Sequence, residues 1–141
     1  MPDPEEVLRA HTLAAVDDPS SDIVWAGRHE HRWGLRMAQR CRDFTTVWFD
    51  AGQRTVRFEA YVIGRPPSAA AEVYRQCLTR NRETLFARFA LDPDGDVVLC
   101  GRVPNDLVTP TVIDTVIGEV YQLVEVAFRP MVRAMGREKN A

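Results

Sequence analysis

Cysteine and histidine are scarce in this chain, three of each in 141 residues. The cysteines, Cys41, Cys77 and Cys100, are odd in number and far apart, which argues against a disulfide framework. Cys77 and Cys100 fall in apolar periodic segments, where a free thiol behaves as a small hydrophobe. No apolar run approaches the roughly 20 residues that a membrane-spanning helix needs, so no membrane partner is expected. The opening MPDPEEVLRA is acidic and lacks the basic-then-apolar order of a secretory leader. A cytoplasmic protein is the expectation. Charge of one sign is missing too. With 18 Lys+Arg against 20 Asp+Glu, the net charge of −2 gives no general attraction to nucleic acid.

Catalytic signatures are equally thin. There is no G-x-S-x-G elbow, no Gly-rich phosphate loop, and no cysteine with an evident neighbouring base. Glu59 near Tyr61 is the nearest approach to a general base, and its place on an alternating strand reads better as cross-strand surface pairing with Arg57. His29 and His31, with Cys41 as a third donor, would be a conceivable metal site. The surrounding Arg28, Arg32, Arg40 and Arg42 repel a cation, so the segment reads as solvated and polar. Asp92, Asp94 and Asp96 around Gly95 imitate the start of a calcium loop, but the twelfth position is Val103 where a bidentate Glu is required. A turn is the better reading. Arg75, Arg80, Arg82 and Arg88 form a basic cluster along and after a helix, read as a solvated face or a salt-bridged rim and not as a nucleic-acid surface. No catalytic residue, metal or cofactor is expected.

What the chain does have is patterned apolar surface. Residues 4–16 predict a helix capped by Asp3, with Pro4 at its first position and Glu5 and Glu6 at the positive end of its dipole. A break at 17–22 precedes Ile23-Val24-Trp25, a short patch suited to an edge strand. Residues 30–37 predict the first strand proper. Residues 44–50 and 54–63 then predict a hairpin, with Gly52 at positive φ in the loop. Ser68 is placed to cap a second helix through Asn81. Residues 85–91 and 96–103 predict another hairpin around Asp92-Pro93-Asp94-Gly95. Thr109 caps a long last helix over 111–135, apolar around well over half its circumference and so covered on two sides. Pro130 should kink or break it, and residues 136–141 should fray. The expected fold is α+β, one domain over 1–141, in the order α-βββ-α-ββ-α, with helices to one side of a twisted antiparallel sheet.

The hairpin over 44–63 is unusual because both of its faces carry large side chains. Val56, Phe58, Ala60 and Val62 alternate with Arg57, Glu59, Tyr61 and Ile63, and Trp48 joins the second set. A strand with one buried face is apolar only at every second position. The second face is therefore expected to meet another part of the chain or a partner, and Trp and Tyr suit a binding hot spot.

The strings HRWGLRMA (31–38), TTVWFDAGQRTVRFEAYV (45–62), EVYRQCLTRN (72–81), FALDPDGDVVLCGRVP (89–104) and EVAFRPMVR (125–133) resemble the YbjN-domain family in its actinobacterial form. Residues 1–30 carry little of the likeness. The resemblance implies a fold like the class I chaperones of type III secretion, commonly dimeric, with a chaperone-like or regulatory role and no transferable catalytic residues. The expected function is that of a non-enzymatic homodimeric adaptor that binds a client or regulatory protein through Trp48, Tyr61, Ile63, Tyr121 and Phe128. A domain with a small-molecule pocket between the sheet and the last helix, walled by Met131 and Met135, is the alternative.

Overall fold

The computed structural model describes residues 2–139, the last three as backbone alone. Helix α1 (Pro4–Val16) is followed by strands β1 (Ile23–His29), β2 (Arg32–Ala38), β3 (Phe44–Ala51) and β4 (Thr55–Ile63). Then come α2 (Ala70–Asn81), β5 (Arg88–Leu91), β6 (Val97–Pro104), a 3-10 turn (Asn105–Leu107) and α3 (Pro110–Lys139). The fold is α+β. Its six strands pair antiparallel in the order β1-β2-β3-β4-β6-β5. The patch at Ile23-Val24-Trp25 is the start of a full edge strand. Glu30 and His31 are the tight turn after it, with Glu30 at φ 57.

The three helices lie on one face of the sheet. Inward strand residues Leu35, Val47, Phe49, Phe58, Ala60, Leu99 and Val103 meet Leu8 of α1, Val73 and Cys77 of α2, and a stripe on α3. That stripe runs Ile113, Val116, Val120, Val124, Ala127, Met131, all buried. Its spacing of three and four is the period of a helix lying on a core. The half-buried Val112, Tyr121, Leu123, Phe128 and Met135 widen it toward the flanking elements, as the breadth of the apolar pattern requires. Helix α1 and strand β1 pack on the same core through Leu8 and Ile23. Leu8 is buried, and the Trp33 indole N–H donates to Thr12 Oγ1 at 2.9 Å. His11 of α1 lies 2.6 Å from Asp114 of α3.

Several local expectations are corrected. Gly52 does not take positive φ; among the described glycines only Gly95 does, at 86°. The loop at 52–54 is held from outside, by Asn105 donating to the carbonyls of Gly52 and Gln53. Ser68 does not cap α2. Its hydroxyl donates to Met135 O, and Ala69 in the left-handed region starts the helix. Pro130 does not end α3, which continues through Gly136 to Lys139, so the tail is helical over its described part. Residues 140 and 141 lie outside the described residues. A proline leaves the carbonyl four residues earlier without its N–H donor. Here that carbonyl, Val126 O, accepts from Arg80 at 3.1 Å. The basic cluster is thereby dispersed: Arg80 serves α3, Arg75 lies 3.9 Å from Glu72, and Arg88 is on the far face of the sheet.

Two carboxylates on α3 tie down loops that periodicity alone cannot place. Glu119 accepts from the backbone N–H groups of Leu85, Phe86 and Ala87 at 2.7, 2.7 and 2.5 Å. Glu125 accepts from Arg40 N at 3.0 Å, Cys41 N at 3.2 Å and Gln39 Nε2 at 2.5 Å. Removal from water works to raise the Glu125 carboxyl. Its bonds from the Cys41 and Arg40 N–H groups, and from the side chains of Cys41 and Gln39, outweigh this and hold it below its ordinary 4.5.

A carboxyl lowered on folding stabilises fully above its unfolded value and loses that contribution as pH falls through its folded one. The stability gap between wild type and Glu125→Gln in urea titrations should therefore be constant above pH 4.5 and narrow on further acidification. The glycines offer a second check. A Cβ at Gly101 would stand 2.3 Å from Phe86 O and 2.5 Å from the Phe58 ring, whereas one at Gly118 meets nothing within 4 Å. Gly101→Ala should lose about 1–3 kcal/mol by overpacking, and Gly118→Ala should gain roughly 0.5–1 kcal/mol from helix propensity, both read from denaturant midpoints.

Candidate functional site: the open face of the sheet

The face opposite the helices is built in three cross-strand rows. The first runs Gly27, Gly34, Trp48, Glu59, Cys100, Arg88. One step along the strands lie His29, Arg32, Asp50, Arg57 and Arg102. On the other side lie Trp25, Arg36, Thr46, Tyr61, Val98 and Ala90. The alternation of the strands dictates this: every position between two core residues points here.

Glycine and tryptophan are matched across the rows. A Cβ at Gly34 would stand 2.5 Å from the Trp48 ring, and one at Gly27 would stand 2.8 Å from the Trp25 ring. Each indole comes close against bare backbone, and Gly34 is buried beside that of Trp48. The two indoles meet edge to face with centroids 6.3 Å apart. Arg32 stacks on Trp48 at 4.8 Å, Arg36 lies over Trp25 at 5.7 Å and Phe44 at 5.6 Å, and His29 lies 5.9 Å from Trp48. Trp48 is thus half-covered by neighbours on its own face. Tyr61 is 54% exposed.

Beyond the tryptophans the face opens into a trough of about 460 Å³. Arg32, Arg57, Arg88, Arg102, Glu59 and Asp50 line it, and no helix residue does. Arg57 and Arg102 are direct cross-strand partners, and among the described residues no ion pair holds either. Nor does Glu59 pair with Arg57. Asp50 instead lies 3.6 Å from His31. The Arg32 Nε is cut off from solvent and has no acceptor. Cys100, expected in the core, is half-buried on this face beside Glu59 and Arg88.

The remaining candidate residues lie elsewhere. Ile63 is buried, a correction with a specific cause. A bulge sets Tyr61 opposite Val98 but Ile63 opposite Val97, so the strand spends two residues where its partner spends one. That extra residue turns Ile63 into the core beside Val62. Arg42 takes up the carbonyls at the bulge, donating to Tyr61 O at 2.8 Å and to Val62 O. The same guanidinium lies 5.2 Å over the ring of Phe128. Phe128 and Tyr121 are half-buried on α3, on the helix side, so the five residues do not form one surface. Burial pushes the Cys77 thiol up to about 11, the behaviour of an unreactive core cysteine.

The acidic loop and the interior offer less. Asp92, Asp94 and Asp96 bring one carboxylate oxygen each within 4.8 Å of the others. Yet Asp92 Oδ1 accepts from the N–H groups of Asp94 and Asp96, and Asp96 Oδ1 from Arg65 N, as in a side-chain-braced turn. Between the sheet and the start of α3 the space amounts to about 10 Å³, lined by Leu8, Phe49, Val56 and Ile113. Small-molecule sites hold roughly 300–1,000 Å³, and Met131, the expected adaptable wall, is fully packed. No helix of the described residues is long and apolar enough to cross a membrane.

A family model, YbjN, described as a putative bacterial sensory transduction regulator, matches residues 5–132 and so includes α1. Uncharacterized proteins of Mycobacterium bovis and Mycobacterium tuberculosis are each 34% identical over 80 residues, 57% of this chain and 44% of theirs. One from Mycobacterium leprae is 34% identical over 87 residues, 62% of this chain and 47% of its own. This chain spans slightly under half the length of these relatives. The match over residues 5–132, nearly the whole of the chain, places it in one family: the chain belongs to the YbjN family of regulator-like proteins.

Proposed function

We propose that this chain is a non-enzymatic regulatory adaptor that works as a homodimer and binds another protein across the open face of its sheet. The observation that carries the reading is the bare outer face. Six strands present Trp48, Tyr61 and a set of unpaired arginines with no helix over them. Proteins seldom leave large aromatic and cationic side chains side by side on an uncovered sheet without a use for them. The filled interior between sheet and α3 weighs against the small-molecule alternative.

A second copy suits a different surface. A two-fold pair places one patch against itself, and the arginine-rich face would then set like charge against like. The groove between α2 and β5 carries no charge. It holds about 330 Å³ and is lined by Tyr74, Cys77, Leu78, Phe89, Ala90 and Leu91. Leu78 is 71% and Leu91 51% exposed. Asn81 already occupies both backbone groups of Phe89 on the adjoining edge strand, at 2.7 and 3.0 Å. This favours association by side-chain packing over strand pairing.

The chain's own cells supply the test. Wild-type protein captured gently and examined by native mass spectrometry should carry a second polypeptide in fixed ratio. Trp48→Ala with Tyr61→Ala should lose it while keeping the folded monomer. Equal retention by both proteins would refute the surface, and a small added mass alone would favour a ligand-binding domain. In light scattering, Leu78→Glu should convert a dimer to a monomer of unchanged circular dichroism.

A further inference from the structure

The open face is not electrically neutral. Its strand positions carry Arg32, Arg36, Arg57, Arg88 and Arg102 against Asp50 and Glu59, although the whole chain has a net charge of −2. Resting on the adaptor reading above, we infer that this face docks an acidic extended segment of the partner protein, its carboxylates meeting Arg57, Arg102 and Arg88.

Three features of the face favour this occupant. Arg57 and Arg102 stand directly opposite one another; Asp50 is the partner of Arg57 on its other side but lies against His31, and among the described residues neither guanidinium has an ion pair. Like charges so placed destabilise a sheet, so the pair is a stability loss that a bound anion would offset. Arg32 lines the trough, held over the Trp48 ring and without an ion pair among the described residues, so its charge is left for a carboxylate to meet. The trough crosses five strands, from Arg32 of β2 to Arg88 of β5, a span that suits a polymer better than a compact metabolite.

Acidic peptide fits better than nucleic acid. Asp50 and Glu59 sit among the arginines, and Glu30 and Asp92 sit at the rim. A phosphodiester chain would set charge against these carboxylates at every step, whereas an extended peptide can put an uncharged side chain there. Alternate side chains of an extended segment point to one side, so a run with Glu or Asp at every second position presents all its charge to the face.

The test uses the full chain and a fluorescein-labelled 12-residue peptide with glutamate at every second position and serine between, at low salt. A lysine counterpart and an oligothymidylate of equal length are the comparators. Anisotropy should show binding of the acidic peptide, falling steeply with salt. Binding should drop at least tenfold in Arg57→Glu and in Arg102→Glu, and should not change in Arg75→Glu on α2. Arg102→Glu creates an opposite-charge pair with Arg57, so its melting temperature should hold or rise while binding falls. A purely structural arginine would lose both. Equal binding to the Arg57→Glu variant, equal binding of the lysine peptide, or preferential binding of the oligonucleotide each overturns the inference. Failure of the acidic peptide alone, with the wild type still capturing a polypeptide through Trp48 and Tyr61, refutes the acidic segment and leaves the adaptor reading standing. Loss of both refutes the adaptor reading itself.

Discussion

The seam between α3 and the inner face of the sheet is the contact on which the rest of the molecule depends. One stripe, from Ile113 to Met131, meets strand residues drawn from both hairpins. Because that stripe is fully used, all three helices collect on one side, and the opposite side is left to polar, aromatic and cationic residues. Glu119 and Glu125 project from the same helix and hold the entry to β5 and the β2–β3 loop. A single helix therefore closes the core and sets the loops at two places on the rim of the sheet. The continuity of that helix depends on Arg80 of α2, which satisfies the carbonyl that Pro130 leaves without its donor.

On the outer face the governing constraint is how closely an indole approaches the backbone. Gly27 and Gly34 remove the side chains that would lift Trp25 and Trp48 away from the sheet. Close against the backbone, the rings pack edge to face and give Arg32 and Arg36 aromatic surfaces to lie over. Stacking fixes an arginine in position without neutralising its charge. The result is a set of cations held in place on a face that no helix covers.

Much of this architecture was legible in the sequence because it follows from local periodicity. The alternation over 44–63 placed Trp48 and Tyr61 on the face away from the core, and the breadth of apolar residues on α3 correctly implied cover on two sides. The Asp92–Gly95 turn was readable from its residues alone. Ile63 was not, since a bulge is a property of two paired strands, and nothing in either strand by itself shows where the register slips. Ser68, Gly52 and Pro130 failed as boundary signals for a related reason. Each was judged by its own preference, and each is governed by a distant group: Met135 O, the Asn105 amide and Arg80.

The sequence by itself determined the class of fold, the number of helices, the two hairpins and most of the core, because the periods of strand and helix are set within a few residues of chain. Only the tertiary structure decided what the molecule presents to a partner. Arg32, Arg57, Arg88 and Arg102 come from four different strands, and across their separations the sequence reads as evenly charged. Strand pairing brings them into one trough, and charge density is a property of distance in space, which the linear order of residues does not contain.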